Sequence, residues 1–564
     1  MGDGGSRNTI STGCGVSARS ASKGGPVHLP SALVILAGLA GPPRDSVPLY
    51  TDLGEHHVPI TTPDSLAQRY FDQGMRLLYG FNHGEAIRSF TRAAQLDSSC
   101  AMCYWGIAYA YGPHVNAGMD SAAGVAAYTA LRQALARMQH ASPREQAYIT
   151  ALAHRYAAPP IRSADRAALD SAYAASMGEV VRRYPKDLDA ATLYAEALMD
   201  KRPWNYWDKK TGEPYPGTRE IVRQLERVLR SDPRHPGACH YYIHAVEAVA
   251  PEKAVPCAER LAALMPGAGH VVHMPAHIYI RVGRYTDAIA ANEHAVHADQ
   301  VFIEGQKPQG LYPLAYYPHN HHFLAFAATL AGRSALAIEA AQHTAATTTV
   351  EAATQVPFLE PYLHYTYLTL VTFGRWDDLL AMALPPANLA YSRGMAQYAR
   401  GVALAATGRF AEAQAALDTL EQIAAGGTRG YASAGWTTPS TNLQIATHAL
   451  LGEIAARRGA LEEGVSHFRE AMKIEDDQLY TEPPDWYYPI RHSLGAVLLR
   501  AGRAAEAEQL YREDLKRFPE NGWSLFGLAQ ALRAQGKSAG AADVDARFGR
   551  AWAGADVTLT ASRF

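Results

Sequence analysis

Histidines crowd one stretch of this sequence. Between Gly269 and Asp299 there are five in 31 residues, at 270, 273, 277, 294 and 297. Histidine is neither a strong helix former nor a usual core residue, so the concentration asks for a chemical reason. Upstream, His240 and His244 stand four apart, with Glu247 three further on; downstream come His319 and His322. An i, i+4 pair puts two imidazoles on one helix face, a two-point grip on a divalent metal. His240, His244, His273, His277, His319 and His322 are therefore the candidate metal ligands. Imidazole suits zinc, copper, iron or nickel. Glu247 could complete the shell or act as a general base, and Arg281 is a second catalytic candidate.

Those residues need elements that bring them together, and an internal ruler supplies them. A small or aromatic residue at position 8, glycine at 15, a small residue at 20 and a packing residue at 24 recur along the chain. Gly401, Gly408, Ala413 and Leu417 fit it, as do Gly495, Gly502, Ala507 and Tyr511, and Gly452, Gly459, Gly464 and Phe468. The histidine-rich stretch fits with Ala276, Gly283, Ala288 and Asn292, and the next unit with Ala325, Gly332, Ala337 and Ala341. Three separations between position-8 residues are 34: Tyr242 to Ala276, Tyr367 to Gly401, and Gly495 to Ala529. Small residues let two antiparallel helices approach closely, and the glycine ends the first helix in a left-handed cap. Each hairpin has an apolar face it cannot bury alone, so hairpins must stack.

This pattern resembles the tetratricopeptide repeat family, over roughly residues 65–115 and 230–550. The resemblance implies an all-α solenoid of stacked antiparallel hairpins forming a right-handed superhelix. It also implies that first helices line a concave groove and touch ligand from positions 2, 5, 9 and 13; here those are His270, His273, His277 and Arg281, then His319, His322 and Phe326 at 2, 5 and 9 of the next unit, then His364 at 5. Packed helices lie about 8–10 Å apart, so imidazoles on neighbouring first helices can meet at one atom. They could instead hydrogen-bond a peptide, or one another. Pro275, at position 7, kinks the helix or starts it late near Met274, which would leave His270 and His273 on the preceding turn.

Three stretches rich in proline and aromatics interrupt the array: Lys201–Gly217, Glu304–Pro318 and Leu479–Arg491. Long loops in repeat arrays often lie over the binding face. Trp105, His114 and Asn116, then Asp200, Arg202, Trp204 and Trp207, and then Glu482, Asp485, Trp486 and Arg491 either pack against neighbouring repeats or wall the same pocket. The ligand-binding candidates are Trp105, Asn116, Trp204, Arg281, Phe326, His364, Trp486 and Arg491.

The bulk properties bound the rest. At 564 residues the chain is too long for one compact core, and a formal charge of −2 gives no basic excess for nucleic acid. No apolar run reaches the roughly 18 residues of a membrane span. Ser31–Pro43 is a short apolar segment ending in small residues, as in a secretory signal, behind an unusually long leader; otherwise it is a tail with a chance apolar patch. Export to a periplasmic or extracellular space is expected on the first reading, a cytoplasmic location on the second. Of five cysteines, Cys14 would leave with the signal; Cys100 and Cys103 read as a structural disulfide or two buried thiols, and Cys239 and Cys257 could bridge. Phosphate-cradling loops, a nucleophile elbow, HExxH and a dinucleotide fingerprint are all absent from the sequence.

The expected organisation is a signal-like N-terminus (1–45), N-terminal helical repeats with an insertion (60–230), central histidine-rich repeats (231–390) and C-terminal repeats (391–555). The expected function is a scaffold whose groove binds a peptide, partner protein or small ligand, with a histidine-lined pocket for a divalent transition metal (zinc, copper or iron). A metal-dependent hydrolytic or oxidative enzyme, and a purely structural hub, are the alternatives. Neither a nucleic-acid partner nor a membrane span is expected.

Overall fold

The computed structural model describes residues 1, 47–160, 165–308, 310–427 and 438–564. The signal-like segment Ser31–Pro43 and Cys14 lie outside the described residues. Helices follow one another from Ser65 to Ala551, and among the described residues extended pairing is limited to two isolated bridges, His114 with Ala117 and Trp207 with Pro214. The architecture is an all-α solenoid of antiparallel hairpins. No helix among the described residues is long and apolar enough to cross a membrane.

The ruler is visible as geometry. Glycines at position 15 (Gly283, Gly332, Gly374, Gly408, Gly459, Gly502 and Gly536) all have φ between +64° and +90°, where a side chain would be strained. Position 8 faces position 24 in two of these hairpins: a Cβ on Gly495 would lie 2.4 Å from the Tyr511 ring, and one on Gly452 would lie 2.9 Å from the Phe468 ring. Residues 120–230, which fit the ruler poorly, still form stacked helices, with Arg166–Arg183, Leu188–Met199 and Thr218–Ser231 packed in succession. The Lys201–Gly217 insertion is therefore inside a hairpin, between its two helices.

Both ends of the array fold back on its middle. Helix Ser65–Tyr79 packs against helix Pro236–Val246. From the other end, the Arg281 guanidinium donates to Arg517 O (3.0 Å), the Tyr285 hydroxyl to Pro519 O (2.7 Å) and the Trp523 indole to Thr329 O (2.9 Å). The Trp552 ring lies against Gly332, leaving no room for a Cβ there. Protein thus covers the inner faces of the central first helices, where an open concave groove was expected. His240, His273 and His277 each have 0 % exposure.

Candidate metal centre

Four helical segments carry the imidazoles. Helix Pro236–Val246 starts with proline at its first position and a histidine cap: His235 Nδ1 accepts from Ala238 N (3.1 Å). All eleven of its residues are buried, His240 and His244 among them, and Glu247 caps its C-terminus. In the next unit Pro275 does interrupt the helix. A short segment, Gly269–His273, gives way to Pro275–Arg281, with Met274 between them still in helical conformation. His270 and His273 therefore precede the break, as a late start implies, yet His273 and His277 still face each other. Gly269 allows the short segment to press on helix Tyr285–Gln306, since a Cβ there would lie 2.0 Å from Asp299 Oδ1. Helix Tyr317–Leu330, preceded by the π-helical turn Tyr312–Tyr316, supplies His319.

Hydrogen bonds fix which nitrogen is bare on four of the rings. His240 Nδ1 donates to Tyr79 O (2.6 Å), and His273 Nδ1 donates to Asn292 Oδ1 (2.7 Å). Glu247 receives two imidazoles, His244 Nδ1 on Oε1 (3.2 Å) and His277 Nδ1 on Oε2 (2.7 Å). In each case the proton sits on Nδ1, so Nε2 presents a lone pair, the arrangement that orients imidazole ligands in metal sites. His240 Nε2, His244 Nε2 and both His270 nitrogens meet no protein partner. His273 Nε2 and His277 Nε2 face each other at 2.9 Å. Two lone pairs at that distance repel unless a cation stands between them. Two nitrogens about 2.0–2.1 Å from one tetrahedral ion would be about 3.3 Å apart, close to what is seen.

Burial drives His240, His270, His273, His277 and His319 toward the neutral, donor form. It pushes His240, His270, His273 and His319 well below the ordinary imidazole range, with neighbouring imidazoles adding to the effect. His277 is also lowered by burial, against the pull of Glu247. Burial opposes ionisation of Glu247, but the contacts from His277 and His244 win and hold its carboxyl at about 2. The interior thus sets a buried carboxylate beside His277, an imidazole that burial disfavours charging.

Two trios of ligand atoms each fall within 4.8 Å of one another: His240, His244 and His270, and His273, His277 and His319. Such spacing has room for an ion but not for an organic molecule. A nearby cavity of about 240 Å³, with Tyr50, Asp52, Phe302 and Tyr312 among its lining, includes none of these imidazoles. A third trio, His56, Asp189 and His235, has similar spacing. There, however, the ring protons are already spent: His235 Nδ1 accepts a backbone N–H, which leaves Nε2–H to approach Asp189 at 3.3 Å, while His56 Nε2 (2.9 Å) and the Tyr79 hydroxyl (2.7 Å) fill the same carboxylate. That set is a closed hydrogen-bond network.

Aromatic rings wall the cluster. Phe323 lies 4.4 Å from both the His273 and His277 rings, and Phe81 stacks on His270 at 5.4 Å. Trp204 sits edge-on to His244 at 4.9 Å, its indole donating to Asn116 Oδ1 (3.0 Å), and Asn116 in turn reaches the Tyr316 hydroxyl (3.4 Å). Trp204 and Asn116 are therefore wall residues.

The other candidates separate into packing positions. Trp105 stacks on Tyr109, Phe326 meets Phe518, Trp486 meets Tyr398, and His364 bonds Ser392. Arg491 makes a two-pronged pair with Asp476. These five stand away from the imidazoles because neighbouring repeats and the returning C-terminal units cover the face on which they were expected to meet ligand. His322 does not join the trios, and its ring abuts Tyr365 at 4.1 Å. The two catalytic candidates are also engaged. Both Glu247 oxygens already hold imidazole N–H groups. The Arg281 guanidinium donates to the carbonyls of Glu247, Ala248 and Arg517, with Glu482 3.9 Å away.

The trios include His270, which the ligand set read from sequence omits although its ruler position points inward. Asn292 was also passed over. It occupies position 24, where other units carry Leu417, Tyr511, Phe468 or Ala341, and a lone polar residue there was a readable signal. Elsewhere, Cys100 and Cys103 form a disulfide, while Cys239 and Cys257 are buried free thiols in contact, unbridged.

Comparison with known proteins bears on the scaffold. A family model described as tetratricopeptide repeat matches residues 394–419, 489–513 and 522–544. No curated protein sequence matches the chain. Among solved structures, a human IFIT1 dimer with m7Gppp-AAAA aligns over 87 % of this chain and 91 % of its own, at 12 % identity and a TM-score of 0.31. An IFIT1 monomeric mutant with Gppp-AAAA aligns over the same shares at 12 % identity and a TM-score of 0.32. Likeness at that level carries no argument about this chain's ligands. The chain thus carries tetratricopeptide repeats at residues 394–419, 489–513 and 522–544, and the same glycine-capped hairpins run through its centre.

Proposed function

We propose that this protein is a partner-binding tetratricopeptide-repeat scaffold that holds a transition metal in its interior on imidazole nitrogens. One observation carries the metal: His273 and His277, each with its proton fixed on Nδ1, aim bare Nε2 atoms at each other across 2.9 Å. Leaving them unbridged would require an imidazolium at a position with 0 % exposure, against the direction in which burial moves His277. His319 offers the third nitrogen, and three imidazoles leave one position of a tetrahedral ion open. Zinc, copper and iron all accept such donors. A peptide or protein partner would meet the repeats from outside, since five of the six imidazoles are buried and only His319 is half-buried. The Cys100–Cys103 disulfide supports export, because such bonds persist in oxidising compartments.

The test is metal analysis of untagged protein after dialysis against each ion, beside a His273→Ala/His277→Ala double variant. The proposal expects bound metal in the parent chain and its loss in the variant, with helical circular dichroism preserved. A parent chain that binds no metal, or a double variant that keeps it, overturns the reading.

A further inference from the structure

The second trio is as well built as the first. His240 Nε2 and His244 Nε2 are bare because their Nδ1 protons are held by Tyr79 O and Glu247, and they converge with His270, neither of whose nitrogens has a protein partner. Four buried ring nitrogens would otherwise go unsatisfied, which is costly, so an occupant is expected there too. The two trios are neighbours: the His244 and His277 rings are 5.3 Å apart, and those of His270 and His273 are 5.7 Å apart. Glu247 braces one ring of each trio with a separate oxygen.

We propose that the interior is a two-metal centre, His240, His244 and His270 holding one ion and His273, His277 and His319 the other, and that both ions are copper(I). This deepens the metal-site reading and rests on it. The choice of copper(I) comes from charge. Six neutral imidazoles and one carboxylate would leave two divalent ions with a net charge of about +3 in a buried site, which is costly to desolvate. Two monovalent ions leave about +1. Copper accepts imidazole donors and, unlike zinc, has a stable monovalent state.

The experiment is anaerobic titration of the full chain with copper(I) against a chromogenic chelator, with zinc(II) in parallel. The expected result is two copper(I) per chain, one in each of His270→Ala and His319→Ala, and none in the double variant. Zinc should saturate below two. A parent chain that saturates at one copper ends the two-metal inference but leaves the metal site standing. A parent chain that binds none ends both. Loss of both ions in His270→Ala with circular dichroism unchanged would show that the trios are not separate sites. Two zinc ions at comparable affinity would refute the charge argument. The parent stoichiometry decides even if a variant fails to fold.

Discussion

Replacing Glu247 with glutamine probes the centre without removing a ligand. The carboxylate accepts an N–H from His277 at 2.7 Å and another from His244 at 3.2 Å. A glutamine has one carbonyl oxygen and one NH2 group. Its oxygen can keep only one of these imidazoles, and the shorter contact favours His277. The NH2 group then faces His244 Nδ1, which must become an acceptor. The His244 proton moves to Nε2, and that nitrogen loses the lone pair it would give a metal. Disturbing such an outer partner typically lowers metal affinity 10–100-fold, or about 1.4–2.7 kcal/mol. The metal-free protein should tolerate the change, because a buried negative charge is removed and the shape is kept. The assay is chelator competition on Glu247→Gln and parent protein, with thermal melts of both in the presence of excess chelator. Unchanged affinity, or a weakened affinity matched by an equal collapse of the metal-free melt, would refute the reasoning.

Two further outcomes test the scaffold and its electrostatics. Gly332→Ala should destabilise the protein by about 2–4 kcal/mol, the sum of left-handed backbone strain and overpacking, because φ is +71° and the new Cβ would lie 2.4 Å from the Trp552 ring; an unchanged calorimetric melt would contradict the packing of Trp552 there. Burial raises the Glu475 carboxyl to about 7 despite Arg517 and Arg491 nearby. A raised carboxyl favours folding below its unfolded value and loses that contribution as pH climbs through its folded value. Glu475→Gln should therefore gain on the parent chain as pH rises from about 4.5 to about 7, by about 3 kcal/mol in all. A difference independent of pH in denaturant titrations would contradict it.

The hairpins were legible because their cause is local. A glycine at +64° to +90° and a small residue against a ring are stereochemical needs that recur at fixed spacing. The break at Pro275 was legible for the same reason. The convergence of His240, His244, His273, His277 and His319 followed from placing neighbouring first helices side by side. His322 went astray because three residues along a helix still leave about 60° of rotation, enough for it to turn from the cluster to Tyr365. The return of the C-terminal units over the centre had no sequence signal. Contacts such as Tyr285 to Pro519 join residues 234 apart, and nothing in a repeat pattern says which distant faces meet. That closure is also why Phe326 packs against Phe518 instead of lining a groove. It changes the chemistry as well, since imidazoles that would have been wet ligand contacts, His273 and His277 among them, are buried near a carboxylate.

Anomalous diffraction from crystals of the metal-loaded protein, measured at the absorption edge of the bound metal, tests the central claim most directly. The account predicts a peak within about 2.0–2.1 Å of both His273 Nε2 and His277 Nε2. A metal-loaded crystal with its peak elsewhere on the chain, and those two nitrogens sharing only a proton, would contradict it.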